Sequence, residues 1–172
     1  MAIDLKEVVR SIPDFPKKGI LFKDITTLLK NKEALKKTID DLAASVKDKK
    51  IDYIVAIESR GFIFGAALAY KMGIGFVPVR KKGKLPAETI SESYALEYGT
   101  DILEMHKDAL EKGKKVLIVD DLLATGGTVE AVCRLVKKVG AEVAAIVFVI
   151  ELCDLKGKDK LKGYSVSSLI KY

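Results

Sequence analysis

Cysteine is scarce in this chain of 172 residues: Cys133 and Cys153 stand alone, in no Cys-x-x-Cys pair and with no histidine at metal-ligand spacing. That excludes a zinc knuckle and a disulfide framework, and reduced, structural cysteines of a cytoplasmic protein are expected. Histidine occurs once, at His106, and is given no catalytic part. Long apolar runs are missing too. The longest, 143–150, is far short of the roughly 20 residues that a membrane helix needs and reads as a central buried strand, so no membrane partner is expected. Residues 1–10 alternate apolar and charged types, unlike the apolar core of a secretory signal. There are no internal repeats and no low-complexity segments. There is no Gly-x-x-x-x-Gly-Lys-Ser/Thr, and Gly73-x-Gly75 lacks a third glycine, which disfavours a P-loop or an ordinary dinucleotide fold.

What is present fits one compact domain, 1–172, in which 49% hydrophobic residues give ample material for a core. The 30 lysines and arginines exceed the 24 acids by six, yet most lie on helices with acids between them, as over 32–50, so no nucleic-acid partner is expected. Arg80, Lys81, Lys82 and Lys84 are different: four cations crowd one loop after a strand, a cluster suited to a polyanionic small molecule.

The periodicities predict alternating elements. Asp4 and Glu7 have capping-box character, and Leu5, Val8, Val9 and Ile12 form a stripe that predicts a short opening helix. Pro13, Pro16 and Gly19 then enforce an irregular arm over 13–24. Asn31 is a cap for a helix with Leu35, Ile39, Leu42 and Val46 on its apolar face. Strand 52–57, apolar helix 61–72 stopped by Gly73, and strand 75–79 follow. Residues 81–103 read as a basic loop and a mobile hairpin, with an alternating run over 93–98. Strand 115–119, helix 127–139 stopped by Gly140, strand 142–150, a charged turn at 156–162 and a last strand near 166–170 complete the chain. Strands alternating with helices predict an α/β fold: a doubly wound, mostly parallel central sheet flanked by helices.

One stretch carries chemistry. The buried strand ends in Val-Asp-Asp-Leu-Leu-Ala-Thr-Gly-Gly-Thr at 119–128, so Asp120 and Asp121 are expected to emerge at the carboxyl edge of the sheet, where ligands sit in such folds. Ala124, Thr125, Gly126, Gly127 and Thr128 are small enough for main-chain amides to close around a phosphate, and the next helix aims its positive end into the same turn. The loop thus offers acceptors for sugar hydroxyls and donors for a phosphate. An Asp-Asp pair alone could also be a magnesium site of a phospho-acceptor domain or simply a polar strand end, but neither requires the Gly-Gly-Thr.

This stretch resembles the phosphoribosyl pyrophosphate (PRPP) motif of the type I phosphoribosyltransferases. The likeness extends through 14–25 (Asp-Phe-Pro-Lys-Lys-Gly-Ile-Leu-Phe-Lys-Asp-Ile), 57–62 (Ile-Glu-Ser-Arg-Gly-Phe), 80–86 and 93–99, and it narrows to the members that act on adenine. The resemblance implies the type I fold with an N-terminal base-binding arm over about 1–30 and a lid over about 81–103. It implies transfer of the 5-phosphoribosyl group from PRPP to N9 of adenine, giving AMP and pyrophosphate, with Mg²⁺ carried mainly by PRPP and pyrophosphate rather than by a protein metal site.

Residue by residue, the resemblance gives Asp120 and Asp121 the ribose hydroxyls and 124–128 the 5-phosphate. Arg60 becomes the arginine of the pyrophosphate loop, whose alternative is a surface salt bridge, and Glu58–Ser59 the place for a cis non-proline peptide. Arg80, Lys81 and Lys84 become the cations for the diphosphate. Glu97 and Tyr98 become lid residues, Glu97 handling a proton. The adenine edge is expected on main-chain groups of Leu21 and Lys23 with its ring on Phe22, whereas Phe15 is expected in the core. Many relatives carry arginine at the position of Lys23, a departure of little weight for a main-chain contact. The resemblance also implies a homodimer with the pyrophosphate loop near the partner. The rival readings are a transferase for a 6-oxopurine such as hypoxanthine, guanine or xanthine, and a non-catalytic PRPP-sensing regulator.

Overall fold

A computed structural model describes residues 3–95 and 99–172. The chain opens with helix α1 (Leu5–Val8), whose N-cap Asp4 accepts a hydrogen bond from Lys6 N. The stripe of Leu5, Val8, Val9 and Ile12 does not continue as a helix. The chain turns extended at Val9, and strand β1 (Arg10–Pro13) pairs antiparallel with β2 (Leu21–Asp24), Ile12 opposite Phe22. The arm is therefore a small two-stranded sheet whose turn contains a cis Phe15–Pro16 bond. Helix α2 (Thr26–Lys30) follows. As expected, the Asn31 side chain caps α3 (Lys32–Ala44), accepting from Glu33 N and Ala34 N. Val46 lies beyond the end of α3 but is buried.

Strand β3 (Tyr53–Ile57), helix α4 (Arg60–Met72), and strand β4 (Gly75–Lys81) form a right-sized βαβ unit, with Gly73 left-handed at φ 67° where α4 stops. The hairpin starts and ends later than 81–103 suggests: β5 (Thr89–Ala95) pairs with β6 (Thr100–His106) from Ala95 opposite Thr100 down to Thr89 opposite His106. Then come β7 (Lys115–Leu123), α5 (Gly127–Lys138), β8 (Glu142–Glu151), two 3₁₀ turns (Cys153–Leu155 and Gly157–Leu161) and β9 (Val166–Lys171).

Among the described residues seven strands form one sheet in the order β5-β6-β4-β3-β7-β8-β9. The five from β4 to β9 run parallel and only the hairpin is antiparallel. Strand β7 lies inside this sheet and is apolar on both sides: Leu117 and Val119 join the core under α3 and α4, while Val116 and Ile118 join the core under α5. Phe64 and Leu68 of α4, and Val132, Leu135 and Val136 of α5, are each fully buried. Burial at that level stabilises by about 1.5–3 kcal/mol per large side chain. The two helices are thus clamped to the sheet with their N-termini at its carboxyl edge, one beside Asp121 and the other beyond Ala124.

Candidate active site

The paired acids do not lie beyond the end of their strand. Pairing of β7 with β8 continues to Leu123 opposite Glu151, whereas β3 pairs β7 only as far as Val119. Asp120 and Asp121 are therefore held in regular strand geometry on one side and uncovered on the other, where β3 has already turned into α4. Into that step opens a cleft of about 450 Å³ lined by Glu58, Ser59, Arg60, Tyr94, Asp120, Asp121, Ala124 and Thr128, among others. A smaller recess of about 70 Å³ continues it past Thr125 and Gly126.

Asp121 is 5% exposed and is paired: Arg60 Nε stands 2.7 Å from its Oδ2. Asp120 Oδ1 accepts from Asp121 N at 2.9 Å. Burial, then the charge of Asp121, holds the Asp120 carboxyl well above the usual carboxylate range. Asp121 is raised as well, by burial, against the opposing pull of Arg60. Two adjacent carboxylates at the wall of a cleft favour a partner that brings donors, and sugar hydroxyls are such donors.

The approach of α4 to these acids depends on Gly61. A Cβ there would lie 2.8 Å from Asp120 Oδ1 and 3.1 Å from Val119 O. At the other side, Gly126 takes φ 82°, a left-handed conformation costly for any residue with a side chain, and this turn delivers the amides of 127 and 128 into the first turn of α5. Among the described residues no side chain caps α5, which leaves its first amides for a ligand.

Arg60 also ties the arm to the site. Its guanidinium lies 5.6 Å from the centre of the Phe22 ring, and Phe15 meets Phe22 edge-on at 5.1 Å. Phe15 is half exposed, not a core aromatic as expected, because the β1–β2 hairpin lifts it off the domain; Leu21 beside it is 52% exposed. Among the described residues strand β2 pairs with β1 on one edge and with no strand on the other. The Lys23 side chain turns the other way, with Nζ 2.9 Å from Ser11 Oγ and 3.7 Å from the centre of the Tyr172 ring. Burial and the neighbouring Lys6 lower its pKa.

The cations expected for a diphosphate, Arg80, Lys81 and Lys84, do not line the cleft, and two are held by carboxylates, one of them the cleft residue Glu58. Arg80 Nε donates to Glu58 Oε2 at 2.5 Å, and Arg80 Nη1 to Lys84 O at 3.1 Å. Lys81 Nζ stands 3.1 Å from Asp101 Oδ2. Lys84 closes a turn, its N–H donating to Lys81 O. The peptide Glu58–Ser59 is cis, as expected. Glu97 and Tyr98 lie outside the described residues.

Several site residues have no sequence signal. Glu58 lies in the 57–62 segment, but its hold on Arg80 and on Lys81 N depends on β3 lying beside β4. Tyr94 lines the cleft, its hydroxyl donating to Asp101 Oδ2 at 3.3 Å and reaching the Thr128 side chain. Tyr94 and Asp101 meet only because the hairpin register sets them opposite each other. Its phenol pKa is raised by burial and by Asp101.

Comparison with known proteins agrees with this geometry. A phosphoribosyl transferase domain matches residues 25–170. The adenine phosphoribosyltransferase of Clostridium botulinum (strain Hall) is 62% identical over 170 residues, covering 99% of each chain. The crystal structure of adenine phosphoribosyltransferase from Thermoanaerobacter pseudethanolicus superposes with a TM-score of 0.96 at 58% identity, covering 98% of both chains. That of the Saccharomyces cerevisiae enzyme, complexed with an imino-altritol bisphosphate and adenine, gives a TM-score of 0.91 at 45% identity over 96% of both. The cleft at the end of β7, the seven-stranded sheet that carries it and these full-length likenesses agree: the chain belongs to the phosphoribosyltransferase family, among the adenine phosphoribosyltransferases.

Proposed function

We propose that this chain transfers the 5-phosphoribosyl group of PRPP to N9 of adenine, giving AMP and pyrophosphate, in the cleft between Arg60, Asp120 and the 124–128 loop. The observation that carries this reading is the step at the end of β7, which sets buried Asp121 and half-buried Asp120 beside a glycine turn with uncapped amides. Asp120 and Asp121 accept from the ribose hydroxyls, while the amides and hydroxyls of 124–128 donate to the 5-phosphate. Once hydroxyl donors replace water around them, both carboxylates can stay ionised despite their burial.

In the reaction, N9 of adenine forms a bond to the anomeric carbon as the bond from that carbon to the diphosphate oxygen breaks, and the electron pair leaves with the diphosphate. The sugar passes through an oxocarbenium-like state, so stabilisation is needed where charge develops, on the departing oxygens. Arg60 supplies a planar fork there, Arg80 and Lys81 become available when Glu58 and Asp101 release them, and Lys84 adds a third cation. The N9 proton passes to Glu97. Adenine stacks on Phe22 and is chosen by main-chain groups of Leu21 and Lys23, which suit a 6-amino group and N1; a 6-oxopurine would leave them mismatched. Closing the hairpin over the sugar excludes water that would hydrolyse PRPP.

The donors in the cleft fit Mg²⁺ arriving on the substrate. Asp120 and Asp121 offer carboxylate oxygens, Glu58 is occupied by Arg80, and a small hard cation keeps most of its ligands as phosphate oxygens and water. When bound, Mg²⁺ supplies charge neutralisation to the diphosphate. The protein acts as a homodimer in the cytoplasm. Support for the dimer comes from α4, the helix that Arg60 opens, whose outer stripe carries Ile63, Ala66, Ala67 and Tyr70, with Ile63 43% and Tyr70 92% exposed. Support for the compartment comes from two unpaired cysteines.

A panel of adenine, hypoxanthine and guanine with PRPP and Mg²⁺, read by chromatography of the nucleotide formed, tests the reading. AMP formation favoured by about 100-fold or more over IMP and GMP is expected. Preference for a 6-oxopurine would overturn it, and PRPP binding without turnover would favour the regulator.

A further inference from the structure

The 124–128 loop is braced from outside its own strand and helix. A Cβ on Gly126 would lie 2.5 Å from Gly157 O, and a Cβ on Gly157 would lie 2.2 Å from Ala124 O and 2.9 Å from Leu123 Cδ1. Neither position has room for a side chain, so the main chain of the 3₁₀ turn Gly157–Leu161 presses directly on the main chain of the loop. The turn is itself pinned at both ends. Lys158 Nζ stands 2.7 Å from Oε2 of buried Glu151, which pairs opposite Leu123 at the end of β7, and Leu161 is 1% exposed in the core under α5. From this fixed base Lys160 sends its ammonium group over the start of α5: Nζ lies 3.8 Å from where a Gly127 Cβ would stand. Gly127 has no side chain to keep it away, and the amides below it carry the positive end of the helix.

The Ala95 carbonyl oxygen lies 3.4 Å from the same point, but a positive side chain beside uncapped positive amides is repelled by them, and an anion seated between the two reverses that. We propose that the 157–161 turn is a second wall of the phosphate site, in which Gly157 is a positioning residue for the loop and Lys160 gives a direct charge-assisted contact to the terminal phosphate of the sugar. This rests on the reading that 124–128 takes the 5-phosphate.

The test is inhibition by ribose 5-phosphate and by pyrophosphate, with KM for PRPP and kcat, in the full chain and in Lys160→Gln, Lys160→Arg, Gly157→Ala and Thr128→Ala. Lys160 is exposed, so its variants keep the fold whatever Gly157→Ala does. Lys160→Gln is expected to weaken ribose 5-phosphate and raise KM for PRPP about tenfold, the weight of one solvent-open charge-assisted contact, with pyrophosphate inhibition and kcat nearly unchanged. Lys160→Arg should recover most of the loss, and added salt should erode ribose 5-phosphate binding less steeply in Lys160→Gln than in the parent. Gly157→Ala should raise KM for PRPP more than it lowers kcat. If Lys160→Gln binds ribose 5-phosphate as the parent does while Thr128→Ala does not, the second wall is overturned and the loop assignment survives. If neither variant changes ribose 5-phosphate binding in an active enzyme, the loop assignment falls and the second wall with it.

Discussion

Gly61→Ala sets two physical effects of opposite sign against each other. On helix propensity alone, alanine in place of glycine in α4 would stabilise the protein by about 0.5–1 kcal/mol. The added methyl would, however, lie 2.8 Å from Asp120 Oδ1, 3.1 Å from Val119 O and 3.3 Å from Asp120 Cα. Two of those atoms are backbone of a central strand, and the third is a carboxylate oxygen already held by Asp121 N. None can retreat freely, and overpacking of this kind costs about 1–3 kcal/mol. The clash should win by about 1–2 kcal/mol, which in a domain of this size lowers Tm by about 2–8 °C. Because the displaced group is the proposed ribose acceptor, KM for PRPP should rise about tenfold as well. Gly65→Ala separates the two consequences: its Cβ would lie 2.5 Å from Ala56 Cβ, on the core face away from the acids, so Tm should fall with KM unchanged. Thermal unfolding and PRPP titration of both variants check this. A Gly61→Ala protein at least as stable as its parent, with an unaltered KM, would refute the reasoning.

Asp120→Asn keeps the shape and the oxygen that accepts from Asp121 N, but removes a buried charge. A raised carboxyl pKa means stability that is full below about 3.8, the ordinary value, and lost as pH rises through the folded pKa; the variant should therefore unfold at a higher temperature than its parent at neutral pH while binding PRPP worse, and a lower Tm would contradict this. Arg60→Ala should lower kcat/KM about 100-fold, leave the Asp121 carboxyl higher still, and weaken adenine binding through the lost contact with Phe22; unchanged kinetics would remove Arg60 from the site. Asp24 has the opposite sign. Arg10 and the Thr26 amide and hydroxyl hold it at about 2, so its contribution is present above 3.8 and lost as pH falls from there toward 2. Acid titration followed by the arm's exposure to protease should show a midpoint in that window, and Asp24→Asn should abolish the pH dependence.

The local parts of this protein were legible because their signals are contiguous. A strand, two acids, a glycine turn and a helix follow one another at 116–139, and the Asn31 cap and the Gly73 and Gly140 stops sit beside the helices they bound. The parts that escaped depend on partners distant in sequence. Leu5, Val8, Val9 and Ile12 satisfy helical spacing, yet Ile12 pairs across a sheet with Phe22, and nothing nearby says so. The acids looked as if they left their strand because the apolar run ends at Val119; it is β8, 28 positions on, with Phe148 opposite Asp120 and Glu151 opposite Leu123, that keeps them in it. Gly157 reads as an ordinary turn glycine, and its need for a bare Cα comes from space against Ala124 rather than from its own backbone angle.

The central claim, that the acids hold the pentose while the glycine turn holds its phosphate, is tested most directly by a crystal structure of the protein with AMP. The account predicts the ribose hydroxyls on Asp120 and Asp121, the phosphate on the amides of 126–128, and the adenine ring against Phe22. AMP bound elsewhere, with that cleft holding only water, would contradict it.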